Sequence, residues 1–222
     1  MGVVYRKCVT HSRKVSRFAG IPTPTGEQPP DATSVDTGDV REYVELPGQL
    51  FLRPWAWRDR ESLVAAFAEP EMGRQADRPV DSPAAAADWI ERRAGQWADG
   101  SAYSFAVTDA CDSVLGNVAV GAVDRVHGTG WVSYWTTSAA RGRGVATKAC
   151  AASADWAFEE AGLFRLELGH RVNNPASCRV ATGAGFQVEG LQRQKLVYDG
   201  VRHDVELHAR LASDPAPAPT SV

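Results

Sequence analysis

Between Leu50 and Leu211 the spacing of apolar and polar positions changes several times, and each change marks an element. Gln49 to Arg53 reads as a strand stopped by Pro54. Leu63, Val64 and Phe67 then recur at helical spacing behind Asp59, which predicts a helix capped by Asp59 and running through Ala68. Pro70 to Pro79 is a loop. Ser82 as N-cap and Pro83 at the first helical position open a second helix to Trp97, with Trp89, Ile90 and Arg93 along it. Tyr103 to Thr108 alternates as a strand, Asp109 to Ser113 turns, and Val114 to Val123 returns antiparallel to it. After a turn from Asp124 to Gly130, the aromatic run Trp131 to Thr137 has the composition and length of a strand.

The second half repeats the alternation of helix and strand. A helix from Gly144 to Glu160 carries Val145, Ala149, Ala152 and Trp156 on one face, with Lys148 and Asp155 off it. Phe164 to Gly169 is the next strand. Asn174 starts a short helix with Pro175 at its first position and Gly185 at its end; Val180 and Ala184 face the core. Gln187 to Tyr198 and His203 to Leu211 close as a hairpin on Asp199-Gly200. Strands in a meander with helices before and after predict one α+β domain over residues 48–212, its sheet mostly antiparallel.

Both ends read differently. In the first 20 residues Arg6, Lys7, Arg13, Lys14 and Arg17 meet no acid, and Pro22, Pro24, Pro29 and Pro30 follow among Gly, Thr and Asp. Residues 1–47 therefore read as a solvated, flexible tail, with an RNA-touching arm or a targeting peptide as the competing readings. The tip lacks the apolar region of a secretory signal. Residues 213–222 form a second, Pro/Ala-rich tail. The 222 residues are 44% hydrophobic and 23% charged, which suits a globular core. A net charge of -3 argues against nucleic acid as the main partner. Cys8, Cys111, Cys150 and Cys178 are scattered with no C-x-x-C, the pattern of reduced thiols in a cytoplasmic protein without a metal site. No apolar run has the length of a membrane helix. Arg outnumbers Lys 20 to 4, a bias we ascribe to genome composition rather than to function.

The candidate chemistry sits where the strand ending at Thr137 meets the helix from Gly144. The turn Arg141-Gly142-Arg143-Gly144 joins them. Its glycines let the backbone lie close to a ligand, and the first helical turn has unpaired amides at the positive end of its dipole. With the two guanidinium groups this makes a site for a phosphate or pyrophosphate. The sequence contains no G-x-x-x-x-G-K-S/T and no strand-borne G-x-G-x-x-G with a later acid, so P-loop hydrolases and Rossmann dehydrogenases are excluded.

Arg141-x-x-Gly144-x-Ala146 resembles the Q/R-x-x-G-x-G/A acyl-CoA loop of the GNAT superfamily of acetyltransferases. Val172-x-Asn174-x-x-Ser177-x-x-Val180, followed by Gly185-Phe186-x-x-Glu189-Gly190, is similar to a block of its Rim-type branch, the N-terminal acetyltransferases of ribosomal proteins and their relatives. Tyr134-Trp135 and Asp204-x-x-Leu207 extend the resemblance over roughly Leu50 to Leu211. It implies a GNAT fold, with a twisted, mostly antiparallel sheet flanked by about four helices. It also implies that two central strands splay at the cofactor loop. By the same resemblance acetyl-CoA lies on Tyr134, Trp135, Thr136, Arg141, Gly142, Arg143, Gly144, Val145, Ala146, Thr147, Asn174 and Ser177, with no metal.

Transfer from a thioester to an amine needs a held acyl-CoA, a neutral amine, a place for the oxyanion and a proton for the leaving thiolate. An exposed backbone N–H near Tyr134 to Thr136 would serve the oxyanion. The resemblance points to Ser177 as proton donor and to Asn174 on the pantetheine; as bare residues they also read as a first-turn position and an N-cap. In the family's A-E-I/L-G-Y-W segment a Glu acts as base, but here Gly130-Trp131-Val132-Ser133-Tyr134-Trp135 puts Trp131 in its place. Asp124, His127 and Glu167 are replacements by type alone. Without a strong base, an α-amine is easier to acetylate than a lysine, whose neutralisation at pH 7 costs about 3.3 kcal/mol more. The expected acceptor is a protein or peptide N-terminus, with an antibiotic or metabolite amine as the alternative. A non-catalytic acyl-CoA-binding module is the reading from a different class. The slot for the acceptor falls on the first two helices and the loop from Pro70 to Pro79. The aromatics there, Trp55, Trp57, Trp89 and Trp97, are read as core or slot wall, core above all for Trp89. The chain reads as a monomer or a homodimer.

Overall fold

The computed structural model describes residues 44–74 and 78–217. Within them an eight-stranded sheet runs in the order β1-β2-β3-β4-β5-β6-β8-β7. The strands are β1 (Val44–Leu46), β2 (Leu50–Pro54), β3 (Tyr103–Asp109), β4 (Val114–Asp124), β5 (Thr129–Thr136), β6 (Arg165–Arg171), β7 (Gln187–Tyr198) and β8 (Val201–Leu211). Neighbours pair antiparallel except β5 and β6, which are parallel. Four α-helices accompany the described sheet: α1 (Arg60–Phe67), α2 (Pro83–Asp99), α3 (Val145–Glu159) and α4 (Pro175–Gly183).

Two apolar clusters lie on the sheet. The larger joins Leu52, Phe105, Val118, Val132, Leu166 and Leu168 to the α3 residues Val145, Ala149, Ala154 and Trp156. The other packs Leu63 of α1 and Ala86, Trp89 and Ile90 of α2 against Trp55, Ala106 and Trp135. The α2 start follows its sequence: Ser82 Oγ accepts from the Ala85 amide at 3.2 Å with Pro83 at the first position, and Gly100 (φ 72°) closes the helix. The hairpin turn on Asp199 and Gly200 also forms, both at positive φ, as a two-residue turn twisted to match its strands requires.

Three expectations change. The tail assigned to residues 1–47 is cut short by β1, where Val44–Leu46 pair with Leu50–Leu52; residues 1–43 and 218–222 lie outside the described residues. Asp59 does not cap α1. Its carboxylate takes two hydrogen bonds from buried Arg53, at 2.7 and 2.8 Å, and one from the Ala56 amide at 2.9 Å. A buried guanidinium without that partner would be far costlier than an uncapped helix end. Finally, Cys150 and Cys178 are free thiols, but Cys111 is disulfide-bonded, so four reduced cysteines do not hold.

Gly116 fixes the spacing of β4 and β5. A Cβ there would meet the Trp135 carbonyl oxygen at 2.3 Å and the Thr136 Cα at 3.1 Å. Gly95, inside α2, has open space around it. Gly116→Ala should therefore lower stability by about 1–3 kcal/mol, while Gly95→Ala should raise it by about 0.5–1 kcal/mol. Urea unfolding of both variants checks the contrast; equal effects would remove Gly116 as a spacing constraint.

Candidate active site

Strands β5 and β6 pair through only three residues each, Thr129–Trp131 with Arg165–Glu167. Beyond Trp131 the described part of β5 pairs with β4 alone, and β6 beyond Glu167 pairs with β8 alone. The Thr137 amide donates to Leu115 of β4 at 2.9 Å. By the alternation of an antiparallel ladder, the amides of Tyr134 and Thr136 point the other way, into the gap. The parting leaves strand-type donors facing a space rather than a strand.

At the open end of that gap lies a cleft of about 450 Å³. One wall is Tyr134, Trp135 and Thr136 of β5; the second is Arg141, Gly142, Gly144 and the first turn of α3, Val145–Thr147; the third is Asn174 and Ser177 at the start of α4. Gly142 and Gly144 have φ of 72° and 71°, which bends the turn tightly into α3. No side chain caps α3, so its first amides face the cleft with the positive end of the helix dipole. All the sequence-nominated residues line this cleft except Arg143, which is exposed on the turn.

The guanidinium of Arg141 is not idle: it binds Glu69 at 2.8 Å, and the other Glu69 oxygen takes the Ser138 amide at 3.0 Å. These contacts, the Ser138 bond foremost, hold the Glu69 carboxyl below its ordinary range. They tie the loop after β5 to the end of α1. The α4 wall is tied in a similar way. Asn174 Oδ1 accepts the Ser177 amide at 3.2 Å, and the Tyr134 hydroxyl donates to the Ser177 carbonyl at 3.4 Å. Burial pushes the Tyr134 phenol well above its usual range, so it remains a neutral donor.

Six lining residues were not nominated as ligand contacts from the sequence, although Val180 belongs to the quoted motif. Glu71 and Met72 come from a 3-10 turn over Pro70–Arg74, and Ala140 from the turn after β5. Ala176, Arg179 and Val180 come from α4. The last three share one helical face, a spacing signal that was available; Val180, expected in the core, packs on it and lines the cleft as well.

The three replacement bases lie elsewhere. Asp124 accepts the Val126 and His127 amides in the turn at the far end of β5, and these bonds, His127 first, lower its pKa. His127 is exposed on that turn, and Glu167 binds Arg165 at 2.9 Å. Trp131 sits where β5 and β6 part. Its ring lies against Gly169, where an added Cβ would meet it at 3.0 Å, and Lys195 Nζ is 5.6 Å from its centre. Among the aromatics near the acceptor side, Trp55 and Trp89 are buried in the core and Trp97 is packed against it. Trp57 stays 52% exposed with Arg60 over its ring.

A cleft made by parting parallel strands, a glycine turn and an uncapped helix defines the class. The chain belongs to the acetyltransferase (GNAT) domain family, whose model matches residues 49–187. It is 33% identical over 114 residues to a Bacillus subtilis (strain 168) protein named "Probable N-acetyltransferase YjcK", covering 50% of this chain and 63% of that one. It is 28% identical over 100 residues to the ribosomal-protein-serine acetyltransferase of Escherichia coli (strain K12), covering 45% and 56% respectively. The chain thus matches a little over half the length of these curated relatives. Solved structures share the fold. Mycobacterium smegmatis RimJ, solved with a CoA-disulfide, has a TM-score of 0.69 at 23% identity over 78% of this chain and 88% of its own. The ribosomal L7/L12 α-N-protein acetyltransferase RimL, solved with coenzyme A, has 0.70 at 21% over 77% and 98%. No described helix is long and apolar enough to cross a membrane.

Gly144 offers a test of the loop. It has open space for a Cβ, as has Gly162, and both have positive φ, 71° and 67°. Gly144→Ala and Gly162→Ala should each cost about 1–2 kcal/mol of stability. Calorimetry with coenzyme A should show at least tenfold weaker binding for Gly144→Ala alone; equal binding by both variants would separate the turn from the ligand.

Proposed function

We propose that this chain transfers the acetyl group of acetyl-CoA to a primary amine, and that the amine is the N-terminus of a protein or peptide. One observation carries the reading: a single cleft joins the unpaired amides of β5 to the uncapped start of α3. The two donor sets suit the two ends of an acyl-CoA, amides of Arg141–Thr147 for the pyrophosphate and the Tyr134 or Thr136 amide for the thioester oxygen. Arg143, exposed beside the cleft, adds charge for the outer phosphates, and Asn174 faces the pantetheine.

The reaction is a direct attack within a ternary complex. The amine nitrogen forms its bond to the carbonyl carbon and the C–S bond breaks; Ser177 Oγ gives its proton to the departing thiolate and regains one from water, and the amine loses its own to water. Tyr134 positions Ser177 through its carbonyl and stays protonated. Among the described residues, Glu71 is the carboxylate that lines the cleft, and it is exposed there. With no buried base at hand, the amine must arrive neutral, which favours an α-amine of pKa near 7.7–8.0 over a lysine near 10.4. Two curated relatives and two solved neighbours named for ribosomal proteins agree with a protein acceptor. A small-molecule amine is the second reading, since MccE with acetyl-CoA and AMP and a spermidine N-acetyltransferase chimera share the fold at TM-scores of 0.66 and 0.63.

Thiol release from acetyl-CoA, measured against N-terminal peptides, polyamines and aminoglycosides, tests the acceptor. Turnover with a peptide is the expected result. Turnover confined to a small amine would move the acceptor to the second reading, and cofactor binding with no turnover would make the chain a non-catalytic module. Ser177→Ala should lower kcat about 10²-fold or more with little change in the KM for acetyl-CoA. Arg143→Glu should do the reverse. With a peptide acceptor, kcat/KM should rise with pH and level near pH 8, as the α-amine loses its proton. An acid limb well below that pH, unchanged between acceptors, would instead reveal an enzyme base.

A further inference from the structure

Behind the α4 wall, outside the cleft, four metal-ligating side chains converge. His170 of β6 lies opposite Glu206 of β8, and His208 follows two residues on, so the sheet register sets all three on one face. Cys178 of α4 faces them from above. His170 Nε2 is 2.9 Å from His208 Nε2. Glu206 Oε1 is 3.0 Å from His208 Nε2, 3.3 Å from His170 Nε2 and 3.6 Å from Cys178 Sγ. The four ligand atoms all lie within 4.8 Å of one another.

These groups present more lone pairs than protons to fill them. His170 Nδ1 lies 3.0 Å from the Arg171 carbonyl, and a carbonyl only accepts, so Nδ1 carries the ring proton and Nε2 turns a bare pair inward. The carboxylate of Glu206 brings further pairs to the same point. His208 has no solvent exposure and His170 is 7% exposed. One proton on His208 Nε2 would have to serve both neighbours. A divalent cation would accept all of the pairs at once.

We propose that His170, Cys178, Glu206 and His208 bind a single divalent transition-metal ion of the zinc type. Two imidazoles, a thiolate and a carboxylate are a four-ligand set for tetrahedral zinc, whose ligand atoms sit about 3.3–3.7 Å apart at bond lengths near 2.0–2.3 Å. The His170–His208 and Glu206–His208 separations of 2.9 and 3.0 Å need only a few tenths of an ångström of opening, and Cys178 Sγ lies within 4.8 Å of all three. The His170 Nδ1–H···O=C bond is the outer contact that orients a zinc-bound histidine. The ion takes no part in acetyl transfer. It cross-links β6, β8 and α4 one residue from Ser177, holding the α4 wall on the sheet.

Zn(II) and Co(II), added separately to the chelator-stripped and desalted full chain, test the site in the absence of coenzyme A. One zinc per chain should bind in competition with a chromophoric chelator. Cobalt should give a tetrahedral visible spectrum with a thiolate charge-transfer band, and zinc should raise Tm. Cys178 and Glu206 are only half-buried, so Cys178→Ser and Glu206→Gln can be made without emptying the core; coenzyme A binding by each variant verifies its fold. Both should weaken zinc at least tenfold, and Cys178→Ser should abolish the charge-transfer band. Substoichiometric zinc binding by the wild type, or wild-type affinity in both variants, would overturn the site and leave a hydrogen-bonded His–His–Glu cluster.

Discussion

The structure turns on backbone hydrogen bonds that one strand does not make. Parallel strands β5 and β6 share three residue pairs and then part, and the polar groups of a strand interior are costly to leave without partners. Those at Tyr134 and Thr136 are available to whatever fills the gap. The rest of the domain keeps the gap open and shaped: α3 and α4 pack over one face of the sheet, α1 and α2 over the other, and the Arg141–Glu69–Ser138 contacts hold the loop at its mouth.

Trp131 occupies the point of divergence. Its indole lies against the bare backbone of Gly169, so this position supplies bulk and no carboxylate. The consequence runs from packing to chemistry. A cleft with strong amide donors and, among the described residues, no buried base is suited to stabilising an oxyanion and poorly suited to deprotonating a lysine. The selectivity proposed for the acceptor therefore rests on an indole, not a carboxylate, at the last residue pair before the strands part.

Much of the fold was legible from local rules. Ser82-Pro83 and Asn174-Pro175 start helices because a side-chain oxygen accepts an early amide and proline costs nothing there. Asp199-Gly200 turns a hairpin because both residues accept positive φ. Asp59 was misread for an instructive reason: a carboxylate before a helix is a cap until a buried guanidinium is nearby, and Arg53 arrives from the adjacent strand. Glu71 and Met72 were invisible as cleft residues because their turn reaches the site only by folding over it.

The sequence by itself determined the elements, the glycine turn with its uncapped helix, and the family motifs that align Asn174 and Ser177 with the loop, since each depends on residues close together along the chain. Tertiary structure alone decided where β5 and β6 part, how Glu69 engages Arg141, that Asp124, His127 and Glu167 stand away from the cleft, and that His170, Cys178, Glu206 and His208 meet. The reason is strand register. It sets residues tens of positions apart on one face within hydrogen-bonding distance, and no spacing along the chain encodes it.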